Sequence, residues 1–205
     1  MLERTFLWIH IIGILLFLNY LYFSKHLHIL LAFPNTYFAD LNSKGKLDNL
    51  ESVTTEVKMM LDPNANPFAA QPESTETPSK FGASDVMDLN WVQLLNAYTC
   101  TECGRCTSSC PANQTGKKLS PRKIMMDTRD RLEQVGKNLD KNKGLFVPDN
   151  ISLLNDYITT EELWACTSCN ACVEECPVNI SPLSIIIDMR RYLVMEQSAA
   201  PMSLN

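Results

Sequence analysis

Almost every residue from Phe6 to Phe23 is apolar, a run of 18 broken only by His10 and Asn19, and Leu27 to Phe33 extends it beyond Ser24-Lys25-His26. Joined as one helix, the two runs are long enough to cross a hydrocarbon core of about 30 Å. Trp8, Tyr20 and Tyr22 are aromatic residues of the kind that sit at bilayer interfaces, and Pro34 is expected to end the segment. A secretory signal peptide fits less well. The run is too long for one, Glu3 dilutes the basic flank, and no small-x-small cleavage site follows. The pattern predicts one transmembrane helix over residues 1–34.

Polar character then takes over. Asn35 to Leu61 has limited helical periodicity, and Asp62 to Lys80 carries four prolines among polar residues, so residues 35–80 read as a juxtamembrane segment and a flexible linker. Ser84-Asp85 can cap a helix through Val86, Leu89, Val92 and Leu95, spaced for one apolar face. No alternating strand pattern appears between Phe81 and Val194. The expectation is a mainly α chain: one membrane helix, a linker, an all-helical domain over 81–197 and a tail at 198–205.

All eight cysteines fall into two copies of one pattern. The first is Cys100-x2-Cys103-x2-Cys106-x3-Cys110-Pro111 and the second Cys166-x2-Cys169-x2-Cys172-x3-Cys176-Pro177. This spacing holds [4Fe–4S] clusters in bacterial-type ferredoxins, where the fourth cysteine of each run ligates the other cluster. Three cysteines two residues apart can curl around one cubane, and the fourth leaves on the next helix in a direction set by proline. The expected ligand sets are therefore Cys100, Cys103, Cys106 and Cys176 for one cluster, and Cys166, Cys169, Cys172 and Cys110 for the other. The crossing staples the two halves together.

The repeat continues past the ligands, with Ser120-Pro121-x2-Ile124-x2-Asp127-x-Arg129-x2-Leu132 matching Ser181-Pro182-x2-Ile185-x2-Asp188-x-Arg190-x2-Leu193. Serine as N-cap with proline at the first helical position is a strong helix start. Thr159 with Glu162 predicts a capping box ahead of Cys166. The result would be a pseudo-twofold pair of helix, cluster loop and helix. Asp130 to Asn155, between the copies, reads as a charged surface excursion with one short helix. A structural zinc site needs four ligands and neither the third step nor the terminal Cys-Pro. Disulfides need an oxidising compartment, and cysteines this closely spaced would form strained loops.

Charge narrows the choice further. With 18 basic against 23 acidic residues the formal net charge is −5, which argues against a nucleic-acid partner. Basic residues are sparse before the apolar run (Arg4) and follow it at Lys25, Lys44, Lys46 and Lys58, placing the C-terminal bulk on the cytoplasmic side of a bacterial-type inner membrane. Cluster assembly in a reducing compartment agrees. No dinucleotide or P-loop signature occurs, and the soluble part has no histidine to act as a general base. A relay of electrons is favoured over a catalytic subunit in its own right, and a regulatory cluster sensor lacks the basic face it would need.

The three histidines all lie between residues 10 and 28. At about 100° per residue His10 and His28 would share one face of a continuous helix, about 27 Å apart, with His26 turned about 160° away. One histidine near each leaflet suits axial ligation of two b-type haems, with Gly13 leaving room for a flat macrocycle. The second ligands would have to come from outside the chain.

The cysteine repeat without strands resembles the helical ferredoxin domain of the heterodisulfide reductase C-subunit family over about residues 85–195. It is also similar to the domains of the glycerol-3-phosphate dehydrogenase C-subunit and the succinate dehydrogenase iron–sulfur subunit. The resemblance implies clusters that relay electrons without transforming substrate. His10 to His28, with Phe23-Ser24-Lys25-His26-Leu27-His28-Ile29, resembles the last helix of the respiratory nitrate reductase gamma-subunit family, which implies haem b at His10 and His28. The chain is similar to the C-terminal half of a fused cytochrome b–ferredoxin protein, which would make Met1 an internal or alternative start. The partners so implied are lipid, the other helices of a cytochrome b-like subunit, and a cytoplasmic oxidoreductase subunit. A C-C-G-domain protein is one candidate for that last partner, since no cysteine here is left to form such a domain.

Overall fold

The computed structural model describes residues 2–24, 26–43, 46–61 and 80–201. They form ten α-helices: α1 (Leu2–Leu21), α2 (Leu27–Tyr37), α3 (Glu51–Leu61), α4 (Trp91–Thr99), α5 (Arg105–Ser108), α6 (Pro111–Gln114), α7 (Pro121–Lys141), α8 (Thr160–Ala165), α9 (Ala171–Glu174) and α10 (Pro182–Met195). Among the described residues the only β pairing is one isolated bridge, Leu154 to Ile158. The chain is mainly helical, as its pattern predicts. Residues 62–79, most of the Pro-rich linker, lie outside the described residues.

α1 has 20 residues and a mean hydropathy of 1.6 over its apolar window, and it buries none of them against the rest of the chain. At 1.5 Å per residue it reaches about 30 Å, the thickness of a bilayer core. The expected continuation into one helix through Phe33 does not occur. The Ser24 hydroxyl donates to the Leu21 carbonyl and accepts the His26 amide, so this polar step ends α1 and a new helix begins at Leu27. Pro34 does not end that helix either. It lies inside α2, and the Phe38 amide donates to its carbonyl one turn on.

Instead of following α1, α2 packs on α4. Phe38 meets Trp91 edge-on at 4.7 Å, and the buried Asn35 donates through Nδ2 to the Val178 carbonyl at 2.8 Å. The helix expected through Val86 and Leu95 is also two pieces. Asp85 caps a 3₁₀ turn at Val86–Asp88, and Asn90 then forms a reciprocal capping box with Gln93 that opens α4. α4 buries Gln93, Asn96, Ala97 and Thr99, and the Gln93 amide is satisfied by Asp188 at 2.7 Å.

The core lies between the two long helices, α7 and α10. Ile124, Met125, Ile185, Ile186, Met189 and Leu193 are buried there together with Leu119, Leu153, Ile158 and Leu163. Both helices start as read from sequence, on Ser120-Pro121 and Ser181-Pro182. The 130–155 excursion is a surface feature only in part, exposed around residues 143–148 but buried at Arg131, Val135, Leu153 and Leu154. α7 continues to Lys141, and Arg131 within it is fully buried at 0% exposure. Its guanidinium donates to Asp85, to Asp149 at 2.6 and 3.0 Å, and to the Ile151 carbonyl at 2.6 Å. Arg131 holds the Asp149 carboxyl below its ordinary range. Gly82, at φ +80°, passes so close to α10 that an added Cβ would lie 2.3 Å from the Asp188 carbonyl oxygen.

Candidate metal centre

Each cysteine run sits on the same scaffold. α4 leads into Cys100 and α8 into Cys166, and the Thr159–Glu162 capping box forms as expected ahead of the second. The loop backbones then turn left-handed at equivalent places, Glu102 (φ 60°) and Ser168 (φ 54°), then Gly104 (φ 83°) and Asn170 (φ 60°). Such left-handed steps gather successive backbone amides into a concave, anion-binding surface. The Ser168 amide already donates to Cys166 Sγ at 3.4 Å.

The Asp-x-Arg repeat, whose purpose the sequence does not disclose, acquires one here. Arg129 donates to the Cys100 carbonyl at 3.5 Å and pairs with Glu102. Arg190, its counterpart, donates to the carbonyls of Cys166 at 2.5 Å and Leu163 at 2.5 and 3.0 Å, and its guanidinium lies over the Trp164 ring at 5.0 Å. Each long helix thus ties down the first cysteine of its own loop. Lys123 adds a tie between helices, reaching Asp127 at 2.7 Å and Glu162 at 2.9 Å.

The thiols fall into two neighbourhoods. Cys100 and Cys106 are electrostatic neighbours of Cys176, and Cys106 is also a neighbour of Cys103. Cys166 and Cys172 are neighbours of Cys110 and Cys169, and Cys172 also neighbours Cys106, so the two neighbourhoods meet there. Cys176 thus stands near Cys100 and Cys106 of the first run, and Cys110 near Cys166 and Cys172 of the second. Cys103 and Cys169 are exposed, while Cys110 and Cys172 are buried.

Burial pushes up the thiols of Cys100, Cys106 and Cys166, and burial followed by the surrounding thiols pushes Cys172 up to about 12. Only exposed Cys169 is held below the ordinary thiol range, by the Ala171 amide. Thiolates so crowded need positive charge between them, which the iron of a cluster supplies. Among the described residues no three His, Cys, Asp or Glu side chains are arranged to hold a single metal ion. Cubane ligands stand further apart, because each binds a different iron. A cavity of about 210 Å³ is lined by Cys100, Cys103, Cys106, Cys172 and Cys176, and its wall is completed mostly by apolar side chains and by His28 and Arg122. The donor set and the space fit iron–sulfur clusters.

Haem does not fit in the arrangement expected. His10 is exposed on α1, whereas His28 lies on α2 in the wall of the cysteine cavity, so the two do not share a face of one helix. The break at Ser24 is the physical reason.

Comparison with known proteins agrees with this geometry. The 4Fe-4S dicluster domain family matches residues 99–180. The chain is 33% identical to a probable iron–sulfur-binding oxidoreductase, FadF, of Bacillus subtilis over 93% of its own length and 28% of the relative. It is 31% identical to an EtfAB:quinone oxidoreductase of Syntrophomonas wolfei over 98% of the chain and 28% of that protein. A probable membrane-anchored ferredoxin of Chromohalobacter salexigens is 34% identical over 62% of the chain and 21% of its length. The heterodisulfide reductase resemblance is also upheld, by the C-subunit of such an enzyme from Methanosarcina acetivorans at 32% identity over 58% of the chain and 60% of that protein. The chain spans little more than a quarter of the first two relatives. No solved structure matches it.

Proposed function

We propose that the chain is the iron–sulfur relay of a membrane oxidoreductase, passing single electrons between a quinone or haem site at the bilayer and a cytoplasmic oxidoreductase partner. Cys100, Cys103, Cys106 and Cys176 would hold one [4Fe–4S] cluster, and Cys166, Cys169, Cys172 and Cys110 the other. The observation that supports this is that the fourth cysteine of each run stands near cysteines of the other, Cys176 by Cys100 and Cys106 and Cys110 by Cys166 and Cys172. When bound, the clusters supply one-electron transfer; their potentials span roughly −700 to +450 mV across proteins, so the ligands alone leave the direction open.

The chain's own residues do the rest. Arg129 and Arg190 fix the loops from behind, and Met125, Pro177, Val178 and Ile180 line the first cavity and keep water from it. α1 is proposed as the membrane anchor, with the domain on the cytoplasmic side in keeping with the lysines that follow it. The names of two relatives, a quinone oxidoreductase and a membrane-anchored ferredoxin, support the quinone side and the anchoring. A catalytic role for the chain itself has less support, since no histidine follows His28.

Anaerobic purification of the full chain in detergent should yield about eight iron and eight acid-labile sulfide per polypeptide. Zinc without iron would overturn the proposal.

A further inference from the structure

The two halves of the repeat are not equivalent around their cysteines, and the difference has a direction. The arginine ties are shared, Arg129 on one side and Arg190 on the other. Two features have no counterpart in the second repeat and line the cavity of the first site, which Cys172 also reaches. Where the second copy has Leu183, buried in the core, the first has Arg122, exposed and lining the cysteine cavity. Its Nη1 lies 4.0 Å from where a side chain on Gly104 would begin, directly over the Cys103–Cys106 loop. The second feature is α2, of which the repeat supplies no second copy. It brings His28 to the wall of the same cavity and anchors Asn35 on the carbonyl of Val178, two residues past Cys176. Only six residue steps separate Leu21, the end of α1, from Leu27, at most about 22 Å of chain. The first site is therefore tethered near the end of the helix that suits a membrane.

We propose that the site of Cys100, Cys103, Cys106 and Cys176 is the membrane-side end of the relay and the more readily reduced of the two, and that His28 and Arg122 make it so. This rests on reading both sites as [4Fe–4S] ligand sets. Reduction adds negative charge, so a fixed cation and a polar donor beside one site favour its reduced form over that of the site that has leucine instead. Arg122 and His28 are positioning residues here, acting on potential without being ligands. With the lower-potential site on the far side, electrons from a soluble donor run downhill toward the bilayer.

The test is a redox titration of the full chain in lipid nanodiscs, anaerobically, followed by low-temperature electron paramagnetic resonance. The signal that appears first on reduction should change shape in Cys103→Ser and be unaltered in Cys169→Ser. Arg122→Leu, which copies the other repeat at an exposed position, should lower the reduced-to-oxidised ratio of that signal at a given potential by up to about tenfold, equivalent to about 59 mV for one electron. Water screens an exposed guanidinium, so a larger shift is not expected. His28→Ala should move the same signal in the same direction, the second signal should stay in place in both variants, and Arg122→Lys should restore the first. The proposal is overturned if the first signal answers to Cys169→Ser, or if Arg122→Leu and His28→Ala move different signals or none. A wild-type chain with no signal at all would instead remove the ligand assignment on which the proposal stands.

Discussion

Arg131 shows how much a single side chain decides in this domain. A guanidinium with 0% exposure is tolerable only because two carboxylates and a carbonyl satisfy it. It joins α7 to the turn at Asp85 and to the loop at Asp149, segments that share no regular pairing. Arg131→Ala should lower stability by about 3–5 kcal/mol, read as a drop in thermal midpoint, because Asp85 and Asp149 lose their partner inside the fold. The same contact predicts a pH dependence. Asp149 is held below the ordinary aspartate value of 3.8, so its contribution is present above that value and is lost as pH falls through the lower folded one. The stability gap between wild type and Asp149→Asn should be constant above about pH 5 and shrink below about pH 4, as followed by helical circular dichroism during melting. Nothing in the sequence marks Arg131 out. It sits in a charged stretch whose composition reads as solvated surface, and burial of an arginine depends on acids 46 and 18 residues away.

At the scale of elements, local signals were the legible ones. Ser-Pro helix starts and the Thr159–Glu162 capping box act within one turn, so their outcome is set by adjacent residues. Helix continuity is less local. The apolar character from Leu27 to Phe33 is that of a lipid-facing segment, and Ile29, Leu30 and Phe33 do stay exposed, yet α2 packs on α4, with Asn35 buried on the Val178 carbonyl and Phe38 against Trp91. Likewise the run from Val86 to Leu95 reads as one amphipathic helix, but Asn90 caps a fresh start and turns polar Gln93 and Asn96 inward, where Asp188 receives Gln93. α1 remains the element suited to the bilayer. Removing residues 2–21 should shift the chain from the membrane to the soluble fraction after cell lysis while the iron content of the domain is retained.

For the whole molecule, the proposed crossed ligand sets would make the two repeats one cooperative unit. Cys110 and Cys176 each stand with the opposite loop, so Cys110→Ser or Cys176→Ser should reduce both paramagnetic signals and the thermal midpoint together. Cys103→Ser and Cys169→Ser, at exposed positions within their own loops, should act mainly on one. Equal, independent losses in all four variants would show that the loops do not depend on each other.

The sequence by itself determined the chemistry: eight cysteines at cluster spacing, repeated with their helix starts, and an apolar run long enough for a bilayer. Spacing suffices there because three ligands two residues apart can reach one centre whatever surrounds them. Only the tertiary structure decided where the apolar run stops, that His28 faces the cysteines instead of sharing a helix face with His10, and that Arg129 and Arg190 hold the loops from behind. Those outcomes depend on contacts between residues far apart in the chain, whose free energies no local pattern carries.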